Sequence, residues 1–338
     1  MKVKKVVLGL VIFFYGDNLF GNKYNVVINS AEIAVVEKDY QKANRIYSSI
    51  FFDSNQYMFS KDVWNYALSS IIEKDTATVI KCLTNLIEKD YDVEKINQNK
   101  YFKPVLKKMD VQNVKKKISS IHLYTLIDSL HTEDQKYRIY DSMYVKYKSE
   151  INLIDSMNSV KLNKIFQKCG FPSEKEIGST QAFSLWVMLL HQGYGTKRIY
   201  NFSKYVESSL TKGKIEPSMG CALLLRLSGK DSYGLEFGIK KISYSGLNSQ
   251  VLGEKDEMAK TKNFILGYYK VKPEVLSRLN KKREELGIGS VSEQRKKDYF
   301  SFTDEHGFQF NMSLDHYVIT DEEQYKFFTQ NLVIIDNK

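Results

Sequence analysis

One histidine of this chain stands where an imidazole could act on a ligand. His191 follows a long apolar run and precedes Gln192 and Gly193, so the run predicts a helix that ends at the histidine. An imidazole there faces the negative end of the helix dipole, which favours its charged form. That position suits a general acid–base or substrate-orienting residue, and equally a histidine that caps or packs a helix end. His191 is therefore the single candidate for catalysis.

Guanidinium groups supply a second kind of chemistry, because their planar fork of donors binds carboxylate or phosphate in a bidentate manner. With neighbouring amide and carboxylate side chains, three arginines form our set of candidate ligand-binding residues: Gln135, Arg138, Arg226, Glu236, Asn280 and Arg283. Around one cleft with His191, this set would suit a small anionic ligand. The alternative is a set of salt bridges and caps between helices, for example Arg283 with Glu236.

The spacing of the histidines and cysteines does not indicate a metal or cofactor site. The remaining histidines show no H-E-x-x-H pattern: His122, His131, His306 and His316. Three widely spaced cysteines without a C-x-x-C pair exclude a zinc site or a disulfide framework: Cys82, Cys169 and Cys221. We expect no metal and no cofactor. The cysteines are interpreted as small buried apolar side chains, with one Cys169–Cys221 bridge as the open alternative.

Composition favours helices as the elements that position these residues. A chain of 338 residues can form two domains with a sizeable core, and only 4 prolines and 18 glycines leave little room for the turns of an all-β fold. We predict a mainly α protein with a signal peptide at 1–21, tetratricopeptide-like helix pairs at 22–118, an all-helical domain at 119–289, and a small tail at 290–338.

The N-terminus has the pattern of a secretory signal peptide. Three lysines precede the apolar run Val6–Tyr15, which at 1.5 Å per residue covers about half of a bilayer core. No cysteine follows that run, so a lipoprotein anchor is excluded, and no later run is long enough to span a membrane. We expect export to the periplasm or beyond. A buried N-terminal helix or strand is the alternative.

An internal repeat marks the N-terminal block. Glu37-Lys38-Asp39 recurs as Glu73-Lys74-Asp75, and each copy precedes a segment with helical apolar spacing. The unit is close in length to a tetratricopeptide repeat, and Tyr40-x-x-Ala43-x-x-x-Tyr47 resembles the second helix of that family. A generic helical bundle is an equal alternative. Because two pairs are too few for a solenoid, the block should lean on the next domain.

Local signals divide the central domain into helices. Thr132 to Gln135 has the form of a capping box, which predicts a helix start. Gly170-Phe171-Pro172 predicts a helix end, and the apolar segment Gln181–Gln192 predicts a central buried helix. Pro273 and Gly287 bracket a further helix. In the tail, alternating residues from Tyr299 to Met312 around Gly307 predict a β-hairpin.

Taken in order, the polar motifs resemble a family of bacterial domains of unknown function over about residues 120–289. The matching positions are Asp134, Gln135, Arg138, Gly170, Pro172, His191, Arg226, Gly229, Tyr233, Gly234, Asn280, Arg283, Leu286 and Gly287. The family usually has an acidic residue before the arginine at 226, where this chain has Leu225, and Thr-Gln where this chain has Leu235-Glu236. If the family's polar cluster is catalytic, this chain has altered two contributors.

These observations favour a non-enzymatic binding or scaffold module of the cell envelope, with a protein or a small anionic molecule as partner. The alternative is a hydrolase or transferase with His191 as acid–base and the arginines as an anion pocket. Nucleic acid is the weakest partner class: the net charge of +10 is spread over short basic clusters with acidic neighbours, and no nucleic-acid-binding motif accompanies them.

Overall fold

The computed structural model describes residues 23–138, 141–194, 199–244, 264–310, 315–319 and 321–335. The predicted signal peptide, residues 1–21, lies outside the described residues. The chain forms two compact units, Met1–Lys230 with Leu286–Ile288, and Asp231–Glu285 with Gly289–Lys338. Helices dominate, and a small four-stranded sheet lies towards the C-terminus, which confirms the predicted mainly α fold with a small β part. The domain boundaries at 21, 118 and 289 stay a prediction. No helix in these described ranges has the length and apolar character needed to cross a membrane.

The first unit begins with two helix pairs: α1 (23–36) with α2 (Tyr40–Phe51), and α3 (Ser60–Ile72) with α4 (Thr76–Glu88). The repeated Lys-Asp turn explains the internal echo of the sequence. Lys38 and Lys74 both adopt a positive φ, and the aspartate after each accepts a hydrogen bond from the backbone three residues on. The side chain of Asp39 or Asp75 thereby caps the second helix of its pair.

Eight further helices follow among the described residues of the first unit. They are α5 (Val93–Gln98), α6 (Lys103–Leu106), α7 (Ile121–Gln135), α8 (Asp141–Lys146), α9 (Lys148–Cys169), α10 (Glu174–Tyr194), α11 (Ser203–Thr211) and α12 (Pro217–Ser228). As predicted, Gly170 ends α9 with a positive φ. Helix α10 breaks at Gly178, where a side chain would collide with Ile118 and the backbone of Lys89. Beyond the break, Leu185, Met188 and Leu189 are fully buried.

One predicted helix start is wrong. Thr132 to Gln135 form the last turn of α7 instead of capping a new helix. A Thr-x-x-Gln pattern can cap only where the chain enters a helix, and here the helix already begins at Ile121, eleven residues earlier. The capping box that does form is at Ser290 and Glu293, whose side chains each accept the other residue's backbone N–H.

Helix α3 carries a buried charge cluster, which we call the Lys61 cluster. The Lys61 ammonium lies 2.6 Å from Glu32, 3.2 Å from Asp62 and 3.3 Å from Glu216, and all four residues are buried. Residues Ser60 to Ser70 of α3 are buried on every side, whereas an amphipathic helix would leave one face exposed. Because Glu216 is the residue that caps the start of α12, this cluster joins the N-terminal helix pairs to a later helix of the same unit.

The Lys61 cluster predicts a pH-dependent contribution to stability. Burial raises the pKa of Asp62 to about 6, and Glu32 and Glu216 add to the rise against the Lys61 ammonium and the hydrogen bond donated by Tyr24. Between the ordinary value of 3.8 and about 6, the folded chain keeps a proton that the unfolded chain releases. The free energy of unfolding contributed by Asp62 therefore falls as pH rises through that window.

We expect Asp62→Asn, which cannot ionise, to remove this slope. Urea unfolding of the wild type and the variant across the window measures it. The stability of the wild type relative to the variant should decline as pH rises. A difference that stays flat or grows with pH would contradict the assignment.

The second unit contains the sheet, with strand order β3-β1-β2-β4. Strand β1 (Lys240–Tyr244) pairs antiparallel with β2 (Phe264–Tyr269) and parallel with β3 (Asp315–Ile319), while β4 (Leu332–Ile334) pairs antiparallel with β2. Among the described residues of this unit, three helices are present: α13 (Pro273–Glu285), α14 (Val291–Thr303) and α15 (Glu322–Thr329). Ile242, Ile265 and Ile319 form the buried centre.

The predicted hairpin from Tyr299 to Met312 is wrong as far as the described residues reach. Tyr299–Thr303 form the last turns of α14, residues 304–310 form no strand, and Met312 lies outside the described residues. Phe300 packs on Phe308 and Phe310 after the helix ends, so the aromatic residues meet across a turn and not across two strands. The cysteines are unbridged: Cys82 and Cys221 are buried as expected, while Cys169 is exposed, and no Cys169–Cys221 bridge forms.

Candidate functional site

Helices α7, α9 and α10 pack together and bring four polar residues into one cluster. Asp134 lies in the last turn of α7, Arg138 shortly after it, Asp155 in α9, and His191 in the last turn of α10. We call this group the Asp134 cluster. Helix packing explains the meeting, because the apolar faces of α7 and α10 put the ends of these helices side by side.

Hydrogen bonds join the members of the Asp134 cluster directly. His191 Nδ1 lies 2.9 Å from Asp134 Oδ2, and Arg138 Nη1 lies 3.3 Å from Asp134 Oδ1. Arg138 Nη2 donates to both oxygens of Asp155, at 2.6 and 2.8 Å, and Nη1 donates to the backbone oxygen of Asp134 at 2.6 Å. The guanidinium thus bridges two carboxylates on different helices.

The electrostatics of the cluster keep Asp134 ionised. Its side chain is fully buried, which by itself raises the pKa, but the hydrogen bond and charge of His191 and the charge of Arg138 outweigh burial and lower it. Burial raises the pKa of Asp155 even though Arg138 opposes the rise. Burial also lowers the pKa of the nearby His131. An ionised Asp134 in turn favours a proton on Nδ1 of His191.

The same residues include a triad with metal-ligand chemistry. One donor atom from each of Asp134, Asp155 and His191 lies within 4.8 Å of the others. The Arg138 guanidinium, however, already occupies both oxygens of Asp155 and touches Asp134. A divalent cation would have to displace this fixed positive charge, so the donor set fits an arginine better than a metal.

Chemically, the cluster can orient an imidazole. Asp134 holds Nδ1 of His191, the arrangement that leaves Nε2 to accept a proton. The His191 side chain is 22% exposed and makes no second hydrogen bond within the described ranges. This geometry meets one requirement of general acid–base catalysis.

Two other candidates lie next to this cluster. The Gln135 amide donates to Asp134 Oδ2 at 2.7 Å. The aliphatic part of Arg226 lies against Gly193, so closely that a side chain at 193 would overlap Arg226 Cγ. The structure therefore brings Gln135, Arg138, Arg226 and His191 together around the ends of α7 and α10.

The remaining candidates belong to the second unit. Arg283 is 2% exposed and donates to the backbone oxygens of Tyr233 and Gly289 and to the side chain of Gln294. Asn280 accepts the backbone N–H of Val291. Glu236 is exposed, and its backbone N–H donates to Asp231. Arg283 and Asn280 thus hold the segment that follows α13, and the suggested Arg283–Glu236 pair is replaced by these partners for Arg283.

Sequence reasoning missed Asp155, which lies 17 positions beyond Arg138 in an ordinary amphipathic helix. No rule of sequence spacing links Asp155 to Arg138. The only available signal was general: a buried arginine requires an acceptor such as a carboxylate. Reasoning also missed a cavity of about 10 Å³ in the first unit, lined by residues that include Phe59, Phe171, Glu174, Trp186, Lys214 and Glu216. Phe171 belongs to the Gly-x-Pro motif and Trp186 to the apolar helix, so their types suggested packing alone.

The chain matches no protein-family model, and no similar chain was found among curated proteins or among solved structures.

Proposed function

We propose that this chain is a non-enzymatic binding or scaffold module. The observation that supports the proposal is that the Arg138 guanidinium donates its hydrogen bonds to Asp134 and Asp155 within the protein. An arginine that binds an anion must offer its donors to the ligand, and these donors are already bonded. We therefore interpret the Asp134 cluster as a structural contact that joins α7, α9 and α10.

The hydrogen bonds of the arginines also bear on the class of partner. Arg283 is also engaged, by two backbone oxygens and Gln294. A site for a small anion would thus lose two of its three expected arginines. This favours a protein or an uncharged small molecule over an anionic ligand.

Export and family membership are part of the proposal. The basic and apolar residues at 1–21 support an exported protein, and the order of motifs between Asp134 and Gly287 supports kinship with the bacterial domains of unknown function. The 36-residue recurrence of a capped Lys-Asp turn, from Asp39 to Asp75, supports the tetratricopeptide-like interpretation of the N-terminal pairs.

A hydrolase or transferase is the second candidate, and the contact between Asp134 and His191 favours it. In that function Nε2 of His191 would take a proton from water or from a substrate hydroxyl. The first unit would have to present the nucleophile and an oxyanion-stabilising donor near the imidazole, since acid–base catalysis alone contributes only about 10²–10⁴-fold.

Turnover assays separate the two candidates. The purified protein and its His191→Ala variant are incubated with chromogenic esters, phosphate esters and glycosides. We expect no turnover above buffer that depends on His191, while the variant loses stability in urea because buried Asp134 loses a partner. Turnover that His191→Ala abolishes and His191→Gln fails to restore would overturn the binding-module proposal and establish the enzyme.

A matched control is available on the same chain. His122 lies in the first turn of α7, is exposed, and is not part of the Asp134 cluster. His122→Ala should leave both the assays and the stability unchanged. An equal effect of the two substitutions would show that the cluster geometry is irrelevant to either result.

A further inference from the structure

Helix α9 carries apolar side chains on two opposite sides. One side is buried in the first unit and includes Ile151, Leu162 and Phe166. The other side faces solvent, yet Leu153 is 62% exposed there and Met157 is 50% exposed. A surface helix normally keeps its outer face polar. The outer face of α9 is therefore an apolar surface that the described part of this chain leaves uncovered.

The residues of this outer face follow a regular spacing. In steps of three, four, three and four residues, the face comprises Glu150, Leu153, Met157, Val160 and Lys164. Val160 is half-buried and the other four are exposed. This is the spacing by which a helix of a coiled coil presents a continuous line of side chains to a partner helix. We call these five residues the α9 seam.

The two ends of the α9 seam carry opposite charges. Glu150 lies seven residues before Met157, and Lys164 lies seven residues after it. Seven residues of helix span about 10.5 Å, so the acid and the base are equally far from Met157. Glu150 accepts a hydrogen bond from the hydroxyl of its neighbour Ser149 at 2.9 Å. Among the described residues, neither Glu150 nor Lys164 forms an ion pair, so both charges are available to a partner.

Symmetry determines which partner fits this arrangement. A second α9 placed antiparallel, with the two-fold axis at Met157, puts Glu150 of each copy level with Lys164 of the other. Two oppositely charged pairs then enclose Leu153 and Val160 of both copies. A parallel arrangement would put like charges level with each other. We propose that this chain forms an antiparallel two-fold dimer through the α9 seam.

An anionic lipid surface fits the same helix less well. Lys161, Lys164 and Lys168 are exposed and would favour such a surface, but Glu150 would oppose it. The dimer uses both signs of charge. Lys161 also has a place in it, because Lys161 and Leu153 are each four residues from Met157. The apolar stem of Lys161 therefore lies level with Leu153 of the other copy and can cover it.

This dimer goes beyond the proposed binding function and does not depend on it. The α9 seam lies on the outer face of α9, whereas Asp155 of the Asp134 cluster lies on the side of α9 that meets Arg138. Turnover that depends on His191 would overturn the binding-module proposal and leave the dimer to be judged by its own test.

Sedimentation velocity of the purified protein at increasing concentration measures the association. We expect a monomer–dimer equilibrium with a Kd of roughly 10–100 µM, because one helix pair is at the small end of protein interfaces. Met157→Glu would bring two carboxylates together at the axis and should raise the Kd at least about tenfold. Ile121→Glu on α7 is the matched control, since Ile121 is 64% exposed, and should leave the Kd unchanged. A monomer at every concentration, or an equal effect of both substitutions, would overturn the proposal.

Charge exchange distinguishes the α9 seam from any other contact between two copies. Glu150→Lys and Lys164→Glu each turn two attractive pairs into two repulsive ones and should raise the Kd about tenfold. An equimolar mixture of these two variants should dimerise like the wild type, because the mixed dimer has opposite charges at both pairs. Circular dichroism checks that each exposed substitution leaves the fold intact. A mixture that stays monomeric would contradict the antiparallel arrangement.

Vesicles test the lipid alternative with the same variants. Co-sedimentation with phosphatidylglycerol vesicles is compared with co-sedimentation with phosphatidylcholine vesicles. Binding to phosphatidylglycerol that Glu150→Lys strengthens and Lys164→Glu weakens, without dimerisation in solution, would assign α9 to an anionic lipid surface and overturn the dimer. Equal behaviour with both lipids, together with recovery of the dimer in the mixture, supports the two-fold contact.

Discussion

Replacing Lys61 with methionine is expected to destabilise the protein by about 3–5 kcal/mol, the effect of leaving buried charges without their partner. The Lys61 ammonium lies within 3.3 Å of Glu32, Asp62 and Glu216. Methionine fills a similar volume but leaves these carboxylates facing one another away from water. Urea unfolding followed by circular dichroism at neutral pH measures the loss of unfolding free energy.

Two further observations make this prediction specific. The deficit should shrink as pH falls, because protonation removes the charges that Lys61 would otherwise balance. Lys42 on α2 is exposed, so Lys42→Met should change stability by no more than about 0.5 kcal/mol. A loss below about 1 kcal/mol for Lys61→Met, or a deficit independent of pH, would show that the cluster does not act through charge.

Replacing Arg283 with lysine is expected to cost at least about 1–3 kcal/mol, the cost of one buried oxygen left without its donor, although the charge is kept. The guanidinium reaches Tyr233 O, Gly289 O and Gln294 Oε1 in three directions while almost fully buried. A lysine ammonium is a point donor on a flexible stem and cannot satisfy all three. At least one buried oxygen would lose its donor, at about 1–3 kcal/mol each.

The control for Arg283 lies on the same helix. Arg278 is exposed on α13, and Arg278→Lys should leave the unfolding free energy within about 0.5 kcal/mol of wild type. This pair of variants also tests the earlier interpretation of Arg283. If its guanidinium served a ligand and not the fold, Arg283→Lys would unfold like Arg278→Lys, and only ligand binding would weaken.

Several features of the candidate site could be predicted from the sequence. Gln135, Arg138 and His191, which we expected around one cleft, do lie together where α7 and α10 end. What they do there could not be predicted. Asp134 was identified only as part of a motif, and Asp155 was missed, because a contact between α7 and α9 leaves no mark on the spacing of either.

The elements of the fold also fall into those that the sequence predicted and those that it did not. The repeat at Asp39 and Asp75, the stop at Gly170 and the start at Pro273 follow from local rules and are present as expected. Strands β1 and β2 were not expected, and the alternation at Tyr299 was mistaken for a strand although it ends a helix. Short apolar runs are ambiguous until a partner strand or helix face is specified.

The sequence by itself determined the mainly helical fold and several helix ends, such as those at Gly170 and Pro273, because a helix closes its hydrogen bonds within four residues and its caps lie within the same turn. Only the tertiary structure decided that Arg283 holds a backbone segment and that Arg138 joins two carboxylates. It also decided that Trp186 lines a cavity. Each of these roles depends on a partner far away in the chain. Burial then fixes these partners, because a polar group removed from water must form its hydrogen bonds with the groups that the packing places beside it.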